Sequence, residues 1–326
     1  MTRHFCTYFD HNYLPRGLVM LESLHEHYPE AQVHVLCLSD ECHDALSSLT
    51  YPFVSLIRLD ELEAADPELA ATRPTRSQIE YYFTITPCLP WHLLTKRGLD
   101  EVTYLDADMM FFSSPAPIFK EAGEASVILT PHRFPPRLDE LREWGLYNVS
   151  WLTFRNTPSG LECLSWYRDA CLEWCRDRLE ETRFADQKYL DAFTARFEEV
   201  HVMEHPGGGV APWNLEGCSV QEQDGAVTVN GAALIFYHAH GFRHIRGPFY
   251  ASGFAEYTSR PQAAVKKHIL GAYARKYKGA LRKARGLIAG QAFTGIRFQR
   301  RPPRALLRDG KRLIKEWRQG TLLICL

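Results

Sequence analysis

The chain has 326 residues, of which 45% are hydrophobic and 24% are charged, and its net charge is −1 at pH 7. These proportions are typical of a soluble globular protein, and the length allows one large domain or one domain with an appendage. No apolar run reaches the ~18 residues that a membrane-spanning helix needs. The first residues, MTRHFCTYF, are typical of a strand and lack the layout of a signal peptide.

The charge is distributed unevenly along the chain. Residues 1–258 carry 20 Lys and Arg against 37 Asp and Glu, whereas residues 259–326 carry 18 against 2. This asymmetry predicts an acidic catalytic domain over 1–258 and a basic, mainly helical extension over 259–326 that meets an anionic partner. The nine cysteines include no C-x-x-C pair, which indicates reduced thiols and a cytoplasmic protein.

The first half of the chain alternates strand and helix patterns. HFCTYF, VHVLCLS and FVSLIRL are predicted strands, with a helix over residues 17–27 and a short helix near residues 44–48. This alternation predicts a doubly wound, largely parallel α/β sheet. A further helical pattern spans residues 77–95, where Pro87 and Pro90 are expected to break or kink the helix.

The segment VTYLDADMMFF, residues 102–112, places Asp106 and Asp108 between two apolar runs. Burying unpaired carboxylates is costly, so the pair calls for a compensating charge. It also lies at the carboxyl end of a predicted strand, where open α/β sheets bind ligands. Oxygen ligands suit Mg²⁺ or Mn²⁺, which commonly complete their coordination with substrate phosphates. The alternative is a turn in which one Asp caps a helix and the other is solvated.

The second half continues with strands at ASVILT and residues 149–154. Ser159 and Glu162 have the spacing of a capping box that opens a helix whose apolar pattern runs to Leu179. Turn signals at residues 224–225 and 230–231 flank a short strand and precede LIFYHAH. There, His238 and His240 are either metal ligands or buried structural histidines.

The tail is predicted to form amphipathic helices. Val265, Ile269, Tyr273 and Tyr277 recur every four residues and are flanked by Lys and Arg. Such a face suits the interface of an anionic membrane, and a solvated extension is the alternative. Nucleic acid is not expected as a partner, because the tail has few aromatic residues for base stacking and the rest of the chain is acidic.

Five segments, in order along residues 3–245, resemble the GT-A nucleotide-sugar glycosyltransferases, and glycosyltransferase family 8 most closely. TYFDHNYLPRGLVMLESL resembles the first strand and nucleotide loop, and LDAD resembles the D-x-D motif. YNVS resembles a donor-sugar segment, FADQKYLD an Asp-Gln pair near the reacting sugar, and FYHAHGFRHI the His-x-x-Gly segment. The resemblance implies a GT-A fold, with a Rossmann-like mixed sheet flanked by helices.

The resemblance also implies roles for individual residues. Mn²⁺ or Mg²⁺ would be held by Asp106, Asp108 and His238. The nucleotide sugar would be contacted by Asp10, Asn12, Tyr13, Asp106 and Asn148, with Asp186 and Gln187 near the reacting carbon. The family's Lys-Pro-Trp after the glycine, which grips the diphosphate, is missing here. Arg243 and His244 stand nearby, and the resemblance leaves the phosphate role to either of them.

These features predict a metal-dependent transferase that moves a sugar from a nucleotide-diphosphate sugar, expected to be a UDP-sugar. The expected acceptor is a glycan, a lipid-linked sugar or a protein, and the expected location is the cytoplasm or the inner face of the membrane. A sugar-phosphate nucleotidyltransferase is one alternative, although DHNYLPRG lacks the Gly-rich basic loop of that class. A non-catalytic protein that binds nucleotide sugars is the other.

Overall fold

The computed structural model describes residues 2–288 and 303–325, without the side chains of residues 303–308. The chain divides into two compact units. The first contains the chain up to Tyr8, Glu30–Asp106 and Ala116–His205, and the second contains Phe9–Pro29, Ala107–Pro115 and the described residues from Pro206 onward. The predicted domain boundary at residue 258 stays a prediction.

The strands follow one another along the chain as β1 (Arg3–Phe9), β2 (Ala31–Cys37), β3 (Val54–Arg58), β4 (Glu101–Leu105), β5 (Met109–Phe111), β6 (Val127–Pro131), β7 (Tyr147–Arg155), β8 (Val200–Val202), β9 (Val220–Gln223), β10 (Ala226–Val229), β11 (Ala232–Ala233), β12 (Phe236–His238), β13 (Phe242–Arg246), β14 (Phe249–Ser252) and β15 (Leu322–Ile324). The α-helices are α1 (Leu14–His27), α2 (Asp40–Leu49), α3 (Leu59–Ala65), α4 (Pro67–Thr72), α5 (Gln78–Thr95), α6 (Ala116–Ala122), α7 (Pro158–Glu173), α8 (Phe193–Arg196), α9 (Gly271–Leu287) and α10 (Pro303–Gln319).

The first unit is built on a seven-stranded sheet of order β3-β2-β1-β4-β7-β6-β8. The pairs β1–β4, β2–β3 and β6–β8 are parallel, whereas β7 runs antiparallel to both of its neighbours. Helices α5 and α7 pack their apolar sides into one core with residues of these strands, including Val102 and Leu152. The mixed α/β sheet predicted from the sequence is therefore confirmed.

Helix α5 continues through both of its prolines, so Pro87 and Pro90 do not break it. The other half of the expectation, that they kink it, stays a prediction. Ile85, Leu89 and Leu93 are fully buried on this helix, and tertiary packing of that kind supplies most of a helix's stability in a protein. A capping box formed by Ser77 and Glu80 fixes the beginning of the helix.

Helix α7 begins earlier and ends earlier than predicted. Its N-cap is Thr157, whose side chain accepts a hydrogen bond from the Gly160 amide, so the predicted capping box at Ser159 and Glu162 is wrong. Pro158 follows the cap, where its missing N–H and fixed φ suit a first helical turn. The helix ends at Glu173, and the chain to Leu179 is irregular.

The second unit pairs the N-terminal helix α1 with the predicted basic tail. A π-helical turn, Val265–Leu270, leads into α9. The stripe Val265, Ile269, Tyr273 and Tyr277 is at most 1% exposed, and Lys283 forms an ion pair with Glu22 on α1 at 2.9 Å. A second ion pair joins Lys276 to Glu26 of the same helix.

The stripe is therefore a buried packing surface, and the prediction that it faces a lipid surface is wrong. Two of the tail's basic residues, Lys276 and Lys283, pair with glutamates of α1, so a small part of the +16 balance of the last 68 residues is neutralised within the protein. In the part of the chain that the structure describes, none of the helices has the length and apolar character needed to span a membrane.

We expect that the stripe stabilises the second unit substantially. Ile269→Ala should lower the free energy of unfolding by about 2–5 kcal/mol, because it removes buried methyl groups and leaves a cavity. The control Lys267→Ala, at an exposed position of the same helical turn, should change it by less than about 0.5 kcal/mol. Chemical denaturation measures the free energy of unfolding of both variants. If Ile269→Ala lowered it as little as Lys267→Ala does, the packing role of the stripe would be contradicted.

Candidate active site

The turn that connects β4 to β5 carries the acidic pair. The Asp106 amide donates to the Ser150 carbonyl at 3.1 Å, which continues the pairing of β4 with β7 by one residue. The Asp106 carboxylate accepts a hydrogen bond from the Tyr104 hydroxyl at 2.9 Å. The side chain of Asp106 is thus held in one orientation by a residue of the strand that precedes it.

Asp108 meets His238 because β5 and β12 pair antiparallel. That register places His238 opposite Met109, and the Ala239 amide donates to the Asp108 carbonyl at 2.9 Å. His238 Nε2 consequently lies 3.1 Å from Asp108 Oδ1, with the two side chains 5% and 14% exposed. Two residues separated by 130 positions are brought together by backbone pairing.

The electrostatic surroundings of Asp108 keep it ionised. Burial opposes the charged form, but His238, followed by His240 and Arg16, holds the pKa of Asp108 well below its usual value. A carboxylate in this state is ready to ligate a cation without first losing a proton.

Asp106, Asp108 and His238 each offer one ligand atom, and the three atoms lie within 4.8 Å of one another. Two carboxylates and one imidazole fit a divalent ion. The oxygen ligands suit Mg²⁺ and Mn²⁺ alike, and the imidazole favours Mn²⁺ over Mg²⁺. The residues present are therefore compatible with the metal that the sequence predicts.

The neighbouring histidine is placed differently. His240 Nδ1 lies 2.8 Å from the Tyr257 hydroxyl, and the side chain of His240 is 45% exposed. The buried Trp213 ring lies edge-on to both histidines, at 5.4 Å from His238 and 5.8 Å from His240. Of the two histidines, His238 is the one that lies against the acidic turn.

The predicted nucleotide loop is a closed turn at the beginning of α1. Asp10 Oδ1 accepts from the backbone amides of Asn12 at 2.9 Å and Tyr13 at 3.3 Å, and the Asn12 side chain donates to Asp10 Oδ2 at 3.0 Å. Such side-chain-to-backbone bonds fix a turn without regular secondary structure. Tyr13 is 39% exposed. The structure therefore brings the three predicted residues together.

Asp186 lies in the interior of the first unit, with only 5% of its surface exposed. Burial, to which the negative charge of Asp106 adds, raises the pKa of Asp186 to about 7. The preceding residue, Ala185, has φ of 46°, in the left-handed region that an alanine rarely adopts. Backbone strain of this kind is retained where the surrounding structure requires it, often at functional sites.

Asn148 and Gln187 share one hydrogen-bonded network. Asn148 Nδ2 lies 3.3 Å from Gln187 Oε1 and 3.1 Å from His132 Nε2. Asn148 Oδ1 accepts from the Ser150 amide, and Gln187 Nε2 donates to the Trp144 carbonyl at 3.1 Å. His132 was not identified from the sequence, although a histidine just beyond the strand ASVILT was a usable signal.

Arg243 and His244 have their contacts within their own part of the second unit. Arg243 Nη2 lies 3.4 Å from a Glu256 carboxylate oxygen, and His244 Nε2 lies 3.0 Å from the Gly247 carbonyl. The His244 ring also packs on Tyr250, at 4.9 Å between centroids. These contacts do not distinguish either residue as the cation for a phosphate, so their predicted role stays a prediction.

The chain has relatives of both sequence and fold. No family model matches it. Two uncharacterized proteins of Bacillus subtilis (strain 168) are similar to it. YfnD is 33% identical over 245 residues, which cover 74% of this chain and 78% of YfnD. YfnF is 31% identical over 252 residues, which cover 74% of this chain and 82% of YfnF. The galactosyltransferase LgtC, in complex with donor and acceptor sugar analogs, has a TM-score of 0.54 at 15% identity, covering 89% of this chain and 97% of LgtC.

The fold is thus that of the GT-A glycosyltransferases, as the sequence predicts. A structure of an active-site mutant of LgtC gives a similar match, with a TM-score of 0.53 at 14% identity over 85% of this chain and 95% of LgtC. Within this fold class, the chain belongs to the family of YfnD and YfnF.

The two histidines are expected to differ in their effect on metal binding. His238→Ala should lower Mn²⁺ affinity at least ~10-fold, because it removes a nitrogen ligand, whereas His240→Ala should lower it less than ~3-fold. Titration of Mn²⁺, with the free ion followed by electron paramagnetic resonance, measures both. Equal losses would instead indicate that the histidines act as a pair.

Asp186 should make the stability of the protein depend on pH. Its pKa is raised to about 7 in the folded state, so the folded state binds more protons than the unfolded state between about pH 4 and pH 7. Stability should therefore fall as pH rises through that window. From pH 5 to pH 8, the wild type should lose about 2–3 kcal/mol more than Asp186→Asn does. Urea unfolding at both pH values tests this, and parallel pH profiles would contradict it.

Proposed function

We propose that this protein is a metal-dependent glycosyltransferase that moves a sugar from a nucleotide-diphosphate sugar, of the UDP type, to an acceptor. The observation that carries the proposal is the group Asp106, Asp108 and His238, whose ligand atoms lie within 4.8 Å of one another on a GT-A fold. When bound there, Mn²⁺ or Mg²⁺ would stabilise the negative charge that develops on the leaving nucleotide.

The protein's own residues bind and orient the donor in this proposal. The closed turn of Asp10, Asn12 and Tyr13 presents an exposed aromatic ring to the nucleoside. Asn148 and Gln187, which already hold each other at 3.3 Å, are the donor-sugar contacts. Holding a substrate in the reactive geometry accounts for much of a transferase's rate, so a network that fixes these amides in advance favours catalysis.

Asp186 lies near the reacting sugar in this proposal. A carboxyl group whose pKa is raised to about 7 is part protonated at neutral pH, and it can donate a hydrogen bond as the acid or accept one as the carboxylate. Perturbed carboxyl groups of this kind are concentrated at catalytic sites. The strained backbone at Ala185 supports the same assignment.

The acceptor is a glycan, a lipid-linked sugar or a protein. Support for a sugar acceptor comes from LgtC, which has the same fold and whose structure was determined with donor and acceptor sugar analogs. Two alternatives predict different products. A sugar-phosphate nucleotidyltransferase would release pyrophosphate from a nucleoside triphosphate, and a non-catalytic binding protein would release nothing.

A donor screen tests the proposal. Incubation with a panel of UDP-, GDP- and dTDP-sugars should give slow hydrolysis of at least one donor, dependent on Mn²⁺ or Mg²⁺ and visible as release of the nucleoside diphosphate. Asp108→Asn should lower this rate at least ~100-fold, since it removes a ligand charge with little change in volume. Full activity in that variant would contradict the metal site, and pyrophosphate release from UTP with a sugar phosphate would favour the nucleotidyltransferase.

We further propose that the protein works at the cytoplasmic face of a membrane. The contact is made through α10 and not through the buried stripe of Val265, Ile269, Tyr273 and Tyr277. The exposed side of α10 carries Lys311, Ile314, Lys315 and Arg318, spaced as one helix face. Within this face, Ile314 is 53% exposed, and the neighbouring Trp317 is 71% exposed. Basic residues with an exposed tryptophan suit the interface of an anionic membrane, where each cation contributes about 1 kcal/mol.

Vesicle sedimentation tests this contact. The full-length protein should sediment with vesicles that contain anionic lipid at low salt and be released at high salt. Lys311→Glu with Lys315→Glu should lower binding at least ~10-fold, because two attractions become repulsions. The control Lys96→Glu with Lys120→Glu, at exposed positions of the first unit, changes the net charge equally and should keep most of the binding. Equal losses in both double variants would contradict a role for α10.

A further inference from the structure

Arg16, in the first turn of α1, is a buried cation that forms no ion pair with any carboxylate whose side chain the structure describes. It is 3% exposed. Its Nη2 donates to the Phe242 carbonyl at 2.8 Å, and its Nη1 is buried without a hydrogen-bond partner. Across residues 2–288 and 303–325, no Asp or Glu with a described side chain lies within ion-pair distance of this guanidinium. The residue was not identified from the sequence.

Another buried arginine of this chain does have ion-pair partners. Arg168, in the first unit, is 8% exposed and makes ion pairs with Asp66 and Glu68, each at 2.7 Å. Removing a cation from water costs several kcal/mol unless an anion compensates it. Arg16 therefore has no close carboxylate of the kind that Arg168 has, although the charge of Asp108 acts on it from a greater distance. Its buried Nη1, which has no hydrogen-bond partner, is left as a donor for an anionic ligand.

The surroundings of Arg16 indicate which ligand that is. The guanidinium carbon lies 4.5 Å from the centre of the Tyr13 ring, in the predicted nucleotide loop, and 5.9 Å from the Tyr277 ring. Phe242, its hydrogen-bond partner, directly follows Gly241 of the His-x-x-Gly segment. Arg16 is also among the charges that act on Asp108. One cation thus lies beside Tyr13 of the predicted nucleotide loop and is hydrogen-bonded to the segment that carries His238.

The balance of charge leads to the same ligand. A divalent ion would be neutralised by Asp106 and Asp108, so the positive charge of Arg16 would remain for the substrate. A diphosphate is the anionic part of the proposed donor, and guanidinium groups bind phosphate oxygens with strong charge-assisted hydrogen bonds.

We propose that Arg16 binds the diphosphate of the donor through Nη1 while Nη2 stays on the Phe242 carbonyl. Arg16 thereby supplies the cation that the missing Lys-Pro-Trp would otherwise provide. This inference rests on the proposed function, since it assumes a nucleoside diphosphate as the ligand. The Tyr13 ring, which is 39% exposed, lies beside this guanidinium.

The test compares ligands that differ only in their phosphates. UDP, UMP and uridine are titrated calorimetrically, with Mn²⁺ present, into the wild type, Arg16→Met and Arg16→Lys. Arg16→Met keeps an unbranched apolar side chain and removes the charge. It should lower the affinity for UDP at least ~10-fold and the affinity for uridine less than ~2-fold. Arg16→Lys keeps the positive charge but loses the planar set of guanidinium donors, so it should lower the affinity for UDP about 3- to 10-fold. Arg246→Met, at an exposed position of β13, is the control and should match the wild type.

The outcomes separate the two proposals. If the wild type binds UDP but Arg16→Met binds it equally well, Arg16 does not contact the diphosphate. If Arg16→Met lowers the affinities for UDP and uridine by the same factor, Arg16 only positions the loop of Asp10, Asn12 and Tyr13, and the inference is overturned. If Arg16→Met does not fold, Arg16→Lys decides by the same comparison. Absence of UDP binding by the wild type would instead contradict the proposed UDP donor.

Discussion

The antiparallel pairing of β5 with β12 is the constraint on which the candidate site depends. It joins a three-residue strand that follows the acidic turn to one that ends at His238, and the register sets which histidine faces Asp108. A shift of one residue would turn His238 away, because neighbouring side chains of a strand point to opposite faces. The approach of His238 to Asp108 therefore depends on the backbone hydrogen bonds between these two strands.

Most of the fold was predictable, because its strands and helices follow local apolar patterns and its turn residues are conspicuous. The failures have physical causes. Pro87 and Pro90 have a strong local preference against helix, yet the buried face of α5 outweighs it. The spacing of Tyr273 and Tyr277 correctly indicated an apolar helix face, but the two rings pack against Phe242 of β13. Lys276 of the same helix pairs with Glu26 of α1, 250 positions earlier in the chain.

The site was predictable only where a motif carries it. Asp106 and Asp108 were found as an acidic pair between two apolar runs, and the resemblance selected His238; the structure brings the three together. His132 lies outside the five segments, and the resemblance implies no role for Arg16. The contacts of both depend on tertiary structure: Arg16 reaches a carbonyl 226 positions away. An arginine within the apolar run YLPRGLVML was the one local signal, and it did not reveal what the charge is for.

The second unit is assembled from the two ends of the chain, and this has a consequence for how the protein is made. Phe9–Pro29 leaves the ribosome early, but α9, whose Tyr277 lies near Arg16 and whose Lys283 pairs with Glu22 of α1, is synthesised near the end. Until then the surface of α1 that α9 covers stays open to aggregation or to chaperones. Contacts between residues so distant in the chain also form slowly. An incomplete chain would therefore lack the contacts between α9 and α1, including the approach of the Tyr277 ring to the Arg16 guanidinium.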